Sequence, residues 1–212
     1  MRKVLLLMVA AIVFWSSCKK HETLTPSTKG DSEVTIMGTV YPVVQIGSQS
    51  WTVINYSGPG GIYNTGSGEL STLNGKLYTP EEAHQIVLPT GWRIPTYDDY
   101  LTLLITRGAT KNDDGSYSAG LVVAHSLMSA TGWSEGGGNN YSYFNALPTG
   151  FYHLQAFVGS GNGASFLHST TVGAEPDQGF MIGPGIGGQP TIFLGIYLVD
   201  GDACSLRFVK DN

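Results

Sequence analysis

The feature that most constrains this chain is a proline-bracketed segment, residues 88–96, that leads directly into a predicted helix. Pro89 and Pro95 each fix their own φ angle and restrict the residue before them, while Gly91 supplies freedom at the bend between them. Thr96 is a favourable N-cap, and the aspartates that follow it suit the positive end of a helix dipole. The segment therefore predicts a rigid corner of the scaffold rather than a site of chemistry.

The N-terminal eighteen residues have the pattern of a secretion signal that ends in a cysteine. Two basic residues precede a twelve-residue apolar run, Val4 to Trp15, which is shorter than the roughly 20 residues of a membrane-spanning helix. The run is followed by Ser16-Ser17-Cys18, which resembles a bacterial lipoprotein box. We therefore expect residues 1–17 to be a lipoprotein signal peptide and Cys18 to carry the lipid. An ordinary signal peptide with a chance cysteine is the alternative.

Composition and charge limit the remaining possibilities. Residues 18–33 are polar and lack periodicity, so they are predicted to be a flexible tether, and residues 34–212 to be one domain. With 29 glycines and only 13% charged residues, a loop-rich and largely β protein is expected. The formal charge of −5 becomes more negative once the basic signal is removed, which disfavours nucleic acid and anionic lipid surfaces. Attachment to the membrane is therefore expected to depend on the N-terminal lipid.

Three helices and several strands are predicted from local patterns. Thr79-Pro80-Glu81-Glu82 is a capping box that opens the first helix. The second helix is expected from about Tyr97 to Arg107, and a short third one from Gly120 to Met128. Strands are expected at residues 34–40, 41–46 and 50–55. More than half of the glycines follow Ser129, so short strands joined by long loops are expected there.

Ordered segments along the chain resemble the Fibrobacter succinogenes major paralogous domain family of extracytoplasmic bacterial domains. The resembling segments are 38–51, 88–100, 129–133, 144–151, 164–170 and 205–211. The resemblance implies an α+β, C-type-lectin-like domain with two or three short helices and a loop-rich antiparallel sheet. It also implies a Bacteroidetes-type envelope lipoprotein in the outer membrane, facing the periplasm or the surface. Most members of the family have no known activity, so the resemblance names no ligand.

Two departures from the family pattern concern cysteines. Leu88 and Phe208 stand where the family has cysteines before the P-S-G-W motif and in the closing R-C-V-K motif. We expect the two side chains to touch, so that a buried apolar contact replaces a cross-link. Only Cys204 remains besides Cys18, so no disulfide and no cysteine-based zinc site can form within a lipidated chain.

Residues that could perform catalysis or bind a metal do not form a recognisable pattern. The five histidines lack metal-motif spacing, and His168 and Ser169 are adjacent on a predicted strand, where they point to opposite faces. Asp98 and Asp99 are explained by their place in a first helical turn. Glu175-Pro176-Asp177 resembles half of a calcium-lectin sugar site, but no Trp-Asn-Asp partner is present. No catalytic residue, metal ligand or cofactor is therefore assigned.

Aromatic residues around a glycine- and asparagine-rich loop are the best candidates for ligand contact. They are Trp133, Tyr141, Tyr143 and Tyr152, and the two tyrosines at alternating positions would share a face if the segment were extended. Trp133 also suits the core, which leaves Tyr141 and Tyr143 as the better candidates. The predicted function is a non-enzymatic, lipid-anchored envelope domain that binds a glycan or a protein. The alternatives are an enzyme that modifies envelope polysaccharide or protein, and a structural subunit of a surface assembly.

Overall fold

A computed structural model describes residues 32–65, 74–169, 178–184 and 188–212. The described part has three short helices and mostly antiparallel strands, as expected for a β-rich α+β domain. The helices are α1 (Pro80–His84), α2 (Tyr97–Thr106) and α3 (Leu121–Leu127). The strands are β1 (Ser32–Ile36), β2 (Thr39–Ile46), β3 (Gln49–Thr52), β4 (Leu77–Tyr78), β5 (Thr110–Lys111), β6 (Tyr117–Ser118), β7 (Phe151–His153), β8 (Ala156–Val158), β9 (Ala164–His168), β10 (Gln178–Pro184), β11 (Pro190–Tyr197), β12 (Cys204–Ser205) and β13 (Val209–Asp211).

Two sheets and two small hairpins organise these strands. The first sheet has the order β1-β2-β3-β13, so the last strand of the chain lies beside one of the first. The second sheet has the order β11-β10-β9-β12-β4, with β12 parallel to β9 and the other pairs antiparallel. The hairpins are β5-β6 and β7-β8.

The second sheet separates two apolar clusters. Alternation along β9 sends Phe166 into one cluster, with Trp51 and Phe180, and Leu167 into the other, with Phe208 and Cys204. Tyr100 of α2 stacks on Phe180 with ring centroids 4.5 Å apart, which fixes α2 against the first face of the sheet. The opposite face carries the second cluster and, beside it, the cavity described below.

The proline-bracketed segment forms the rigid corner that its sequence predicts. Thr96 caps α2, and Asp99 at the third helical position completes a capping box. Arg93 also donates to Asp99, with an Nη2–Oδ1 distance of 2.6 Å, and to Asp211 at 3.0 Å. Gln49 of β3 donates to the same Asp99 oxygen at 2.6 Å. One carboxylate therefore joins the corner, α2 and β3, which is a structural role for Asp99.

Arg207 is completely buried and joins distant parts of the chain. Its guanidinium donates to Asn55 Oδ1 at 2.6 Å and to the backbone carbonyls of Thr52, Phe144 and Asn145 at 2.7–3.0 Å. Burial lowers the pKa of this side chain, yet arginine remains protonated at neutral pH. Its bonds therefore compensate the loss of water around a buried charge and hold the C-terminal segment in place.

The helix predictions are confirmed to within one residue at each start, including the capping box of α1. The continuous strand predicted for residues 34–40 is wrong. The chain reverses at Met37 and Gly38, whose φ angles of 49° and 82° form a two-residue hairpin turn between β1 and β2. Methionine gave no turn signal, because this geometry usually selects asparagine or glycine. β1 also begins at Ser32, two residues before the predicted start of the domain.

Leu88 packs against the apolar cluster that contains the buried Phe208. Both positions therefore belong to one hydrophobic region, as the replacement of two cysteines by apolar residues suggests. Direct contact between the two side chains remains a prediction.

Candidate functional site

The main candidate site is an apolar cavity of about 170 Å³ on the second face of the five-stranded sheet. Its walls come from β7, β9, β10, β11 and the segment that enters β12. The apolar residues that line it are Phe151, Phe180, Met181, Ile196, Tyr197 and Leu198, of which Phe180 directs its ring to the opposite face. The polar and reactive groups on its walls are those of His153, Ser165, Asp202 and Cys204.

Strand pairing places these groups on a common wall. Tyr152 and Ala203 form an antiparallel bridge, with backbone hydrogen bonds of 2.8 and 3.0 Å in both directions. Because side chains alternate along a strand, the residues on either side of this bridge point the other way. His153 therefore lies opposite Asp202, and Phe151 lies opposite Cys204, on the face that lines the cavity.

His153 is oriented by Asp202 at the mouth of the cavity. Its Nδ1 lies 2.8 Å from Oδ1 of the buried Asp202 carboxylate. A carboxylate only accepts, so Nδ1 of His153 carries a proton and donates it to Asp202. The other Asp202 oxygen accepts the backbone N–H of Val199 at 3.1 Å and closes the turn that ends β11. Asp202 therefore fixes both the turn and the imidazole.

Cys204 lies beside this pair, but its thiol is in the protonated, unreactive form. The thiol is buried, and burial together with the nearby charge of Asp202 raises its pKa to about 12. A nucleophilic cysteine needs the opposite environment, because the thiolate is the reactive form. At neutral pH, Cys204 therefore contributes an uncharged thiol to the cavity wall.

Ser165 lines the cavity, and its buried hydroxyl has no hydrogen-bond partner among the described residues. Its side chain is only 4% exposed, and its Oγ makes no hydrogen bond there. Ser165 pairs with Met181 across β9 and β10, so both side chains lie on the cavity face of the sheet. A buried hydroxyl without a partner is uncommon in folded proteins and calls for a specific explanation.

Comparison with known proteins places the chain in a family. A family model described as the Fibrobacter succinogenes major domain matches residues 44–210. The chain belongs to the Fibrobacter succinogenes major domain family. The match includes the corner at residues 88–96, the Arg207 network and every wall of the cavity. No curated protein and no solved structure matched the chain.

None of the four aromatic residues predicted to contact a ligand lines the main cavity of this family member. Tyr141 is 75% exposed, Tyr143 is 36% exposed, and Tyr152 packs its ring on Phe157 with centroids 5.1 Å apart. Trp133 packs against the first apolar cluster and donates from Nε1 to Ser129 at 3.0 Å. It also lines a smaller cleft of about 60 Å³. Contact between these residues and a ligand remains a prediction.

The geometric reason given for pairing Tyr141 with Tyr143 is wrong. Residues 141–143 form a turn, and the φ angle of Tyr143 is 58°, in the left-handed region. Side-chain alternation along an extended strand therefore does not apply there. The backbone of this turn is organised by asparagine side chains, since Asn140 Oδ1 accepts the N–H of Asn145 at 2.9 Å.

The remaining candidate groups do not form a second site in the described part of the family domain. His168 is buried next to Tyr97 and Tyr100. No cluster of three or more metal-ligating side chains occurs among the described residues, and no helix within them is long and apolar enough to cross a membrane. Cys18 and the Glu175-Pro176-Asp177 triplet lie outside the described residues.

Sequence reasoning missed the cavity because its parts are distant along the chain. His153 and Asp202 are separated by 49 positions, and neither belongs to a recognisable local motif. Asp200-Gly201-Asp202 has the composition of a turn, but nothing in the sequence indicates which histidine contacts it. A strand predicted at residues 151–153 would have indicated part of the cavity wall, because alternation along a strand places Phe151 and His153 on one face.

Proposed function

We propose that this family member is a lipid-anchored, extracytoplasmic binding domain without catalytic activity, held in the outer membrane through Cys18. We further propose that its fold is C-type-lectin-like and that its partner is a glycan or a protein. The apolar cavity, with a Ser165 hydroxyl that has no hydrogen-bond partner in the described part of the chain, carries this proposal. Concave, mostly apolar cavities with a few placed polar groups are typical of binding sites.

The state of the ionisable groups favours binding over catalysis. The pKa of Cys204 is raised to about 12 by burial and by Asp202, so the thiol remains protonated at neutral pH. Asp202 already binds His153 and the N–H of Val199, so the dyad has a structural role in shaping the wall. The cavity therefore offers a shape and hydrogen-bond partners for a ligand, and no activated nucleophile.

Binding through the cavity is tested with a substitution that fills it. Met181→Trp places a large ring in the cavity, whereas Val122→Trp adds the same ring at an exposed position of α3. The purified chain and both variants are applied to glycan and peptide arrays. We expect the wild type and Val122→Trp to bind members of one class, and Met181→Trp to lose them. Absence of binding in the wild type, or equal binding by a folded Met181→Trp, would contradict the proposal.

The lipid anchor is tested by metabolic labelling with a palmitate analogue. We expect the wild-type chain to take up the label and to fractionate with the membrane, because a cysteine closely follows the apolar run. The Cys18→Ala chain should do neither. Labelling and membrane retention of Cys18→Ala would show that the assignment is wrong.

An enzyme is the second candidate, because Cys204, His153 and Asp202 share one wall of the cavity. Alkylation by iodoacetamide in a Cys18→Ala background distinguishes the two functions. We expect the native chain to stay unmodified at pH 7 and a urea-unfolded sample to react, because the native thiol is buried and protonated. Rapid alkylation of Cys204 in the native state at pH 7 would favour the enzyme.

A further inference from the structure

The main cavity has the size of a single aromatic ring. Its volume of about 170 Å³ is close to that of an engineered apolar cavity of about 150 Å³ that binds benzene. Phe151, Met181 and Ile196 contribute apolar walls. The hydrophobic effect therefore favours an apolar body of this size in the cavity.

The polar groups of the cavity are too few for a sugar ring. A hexose carries hydroxyls around its whole circumference, and each buried hydroxyl without a partner is unfavourable. The walls provide the hydroxyl of Ser165 and the imidazole of His153, while Asp202 is already bonded to His153 and Val199. A ring with one hydroxyl matches these few polar groups better than a ring with several hydroxyls.

Depth distinguishes the two polar groups. Ser165 is 4% exposed and Oγ has no hydrogen-bond partner among the described residues, whereas the His153 side chain is 36% exposed. A group that enters from solvent therefore passes His153 first and reaches Ser165 last. The hydroxyl of the ligand should accordingly lie at the far end of its ring, as it does in a phenol.

The surroundings of the cavity suit a protein partner. Tyr197, which lines the cavity, is 64% exposed, and Leu154, which follows His153 at the tip of the β7-β8 hairpin, is 76% exposed. Leu154 and Gln155 both have left-handed φ angles, 46° and 65°, which non-glycine residues adopt at a cost. Leu154 and Tyr197 are therefore exposed apolar side chains that a protein partner can cover.

We propose that the cavity accepts the side chain of a tyrosine from a protein partner, with its hydroxyl bonded to Ser165. This inference rests on the proposed binding function and specifies its partner class. The phenol oxygen can donate to, or accept from, the Ser165 hydroxyl at the closed end. The backbone of the partner then lies across His153 and the exposed side chains of Leu154 and Tyr197.

The test measures the binding of small probe molecules to the purified full-length chain. Binding is followed by NMR through the methyl signal of Met181 in the cavity wall. Methionine methyl groups are labelled with ¹³C, and the signal of Met181 is identified by its absence from Met181→Leu. N-acetyltyrosinamide, N-acetylphenylalaninamide and methyl α-glucopyranoside are then titrated in separate experiments. We expect the tyrosine probe to shift the Met181 signal and to bind about tenfold more tightly than the phenylalanine probe, because only tyrosine reaches Ser165.

Two matched variants test whether Ser165 causes the preference for tyrosine over phenylalanine. Ser165→Ala should reduce the tyrosine-to-phenylalanine ratio to about one, because the hydrogen-bond partner is removed. Ser126→Ala makes the same change at a serine of equal exposure, 4%, outside the cavity, and should preserve the ratio. Equal binding of both amino acid probes in the wild type, or an unchanged ratio in Ser165→Ala, would overturn the tyrosine proposal.

Failure of the tyrosine proposal can be separated from failure of the binding function. A Met181 shift with the glucoside and none with the tyrosine probe would overturn the tyrosine proposal and leave a glycan-binding domain. No shift with any probe would also overturn it. The array experiment with Met181→Trp then decides independently whether the domain binds a ligand through this cavity.

Discussion

Arg207 and Ser165 are both buried polar residues, but among the described residues only Arg207 has hydrogen-bond partners. The Arg207 guanidinium reaches an amide oxygen and three backbone carbonyls from distant segments. The Ser165 hydroxyl reaches none among the described residues. A satisfied buried group specifies the fold, whereas an unsatisfied one adjoining a cavity is available to a ligand. Stability measurements and binding measurements should therefore separate the two residues.

The largest effect is expected from Arg207→Met, which removes the satisfied group. Asn55 and the carbonyls of Thr52, Phe144 and Asn145 lose their donor, at about 1–3 kcal/mol for each group left unsatisfied. We expect the free energy of unfolding to fall by about 4 kcal/mol or more, measured by urea denaturation. Lys210→Met removes an exposed charge three residues further on and should change it by less than about 0.5 kcal/mol. Similar values for both variants would show that the Arg207 network is not a main determinant of stability.

A second effect, of about 3 kcal/mol, is expected from acid because of His168. Burial lowers the pKa of His168 to about 4, and a weaker backbone interaction with Ser169 opposes this shift. Between about pH 6.5 and 4 the unfolded chain binds a proton that the folded chain does not, so stability falls as the pH is lowered through this window. Thermal unfolding across pH 4–7 measures the effect.

His168→Phe keeps a ring next to Tyr97 and Tyr100 and removes the titration. Its melting temperature should depend less on pH than that of the wild type. His84→Gln, at an exposed position of α1, is the control for removing a histidine. An equally steep pH dependence in His168→Phe would contradict the role of His168.

The smallest effect is expected from Ser165→Ala, which tests directly whether the Ser165 hydroxyl is unsatisfied. Ser126 and Ser165 are equally buried, but Ser126 donates to the carbonyl of Val123 at 2.8 Å. Ser126→Ala should therefore cost about 1 kcal/mol, while Ser165→Ala should be neutral within about 0.5 kcal/mol or slightly stabilising. Urea denaturation of the two variants decides this. A loss at Ser165 as large as that at Ser126 would indicate a hydrogen bond within the domain.

The corner and the helices could be predicted because their determinants are local. Thr79, Thr96 and Asp99 occupy capping positions that a few neighbouring residues define. The family and its motif order could also be predicted, since the matched region spans residues 44–210. The left-handed turns at Met37 and Tyr143 could not, because tertiary packing overrides the backbone preferences of these residues.

The candidate site was not predicted because it depends on strand register. The sequence motifs indicated Tyr141 and Tyr143, whose turn is organised by asparagines rather than by strand pairing. The cavity instead depends on the bridge between Tyr152 and Ala203, which brings His153 opposite Asp202. Register between strands fifty residues apart has no local signal, so only the fold reveals which polar groups share a wall.

The position of β13 beside β3 also determines when the domain can finish folding. The last strand closes the first sheet, and Arg207 reaches Thr52 across 155 positions of the chain. Contacts of such long range form late and slow the search for the native state. For a chain exported to the extracytoplasmic side, as we propose, these contacts form there only after the C-terminal segment has crossed the membrane. In an export of this kind, the topology would keep the domain incomplete until the whole chain has been delivered.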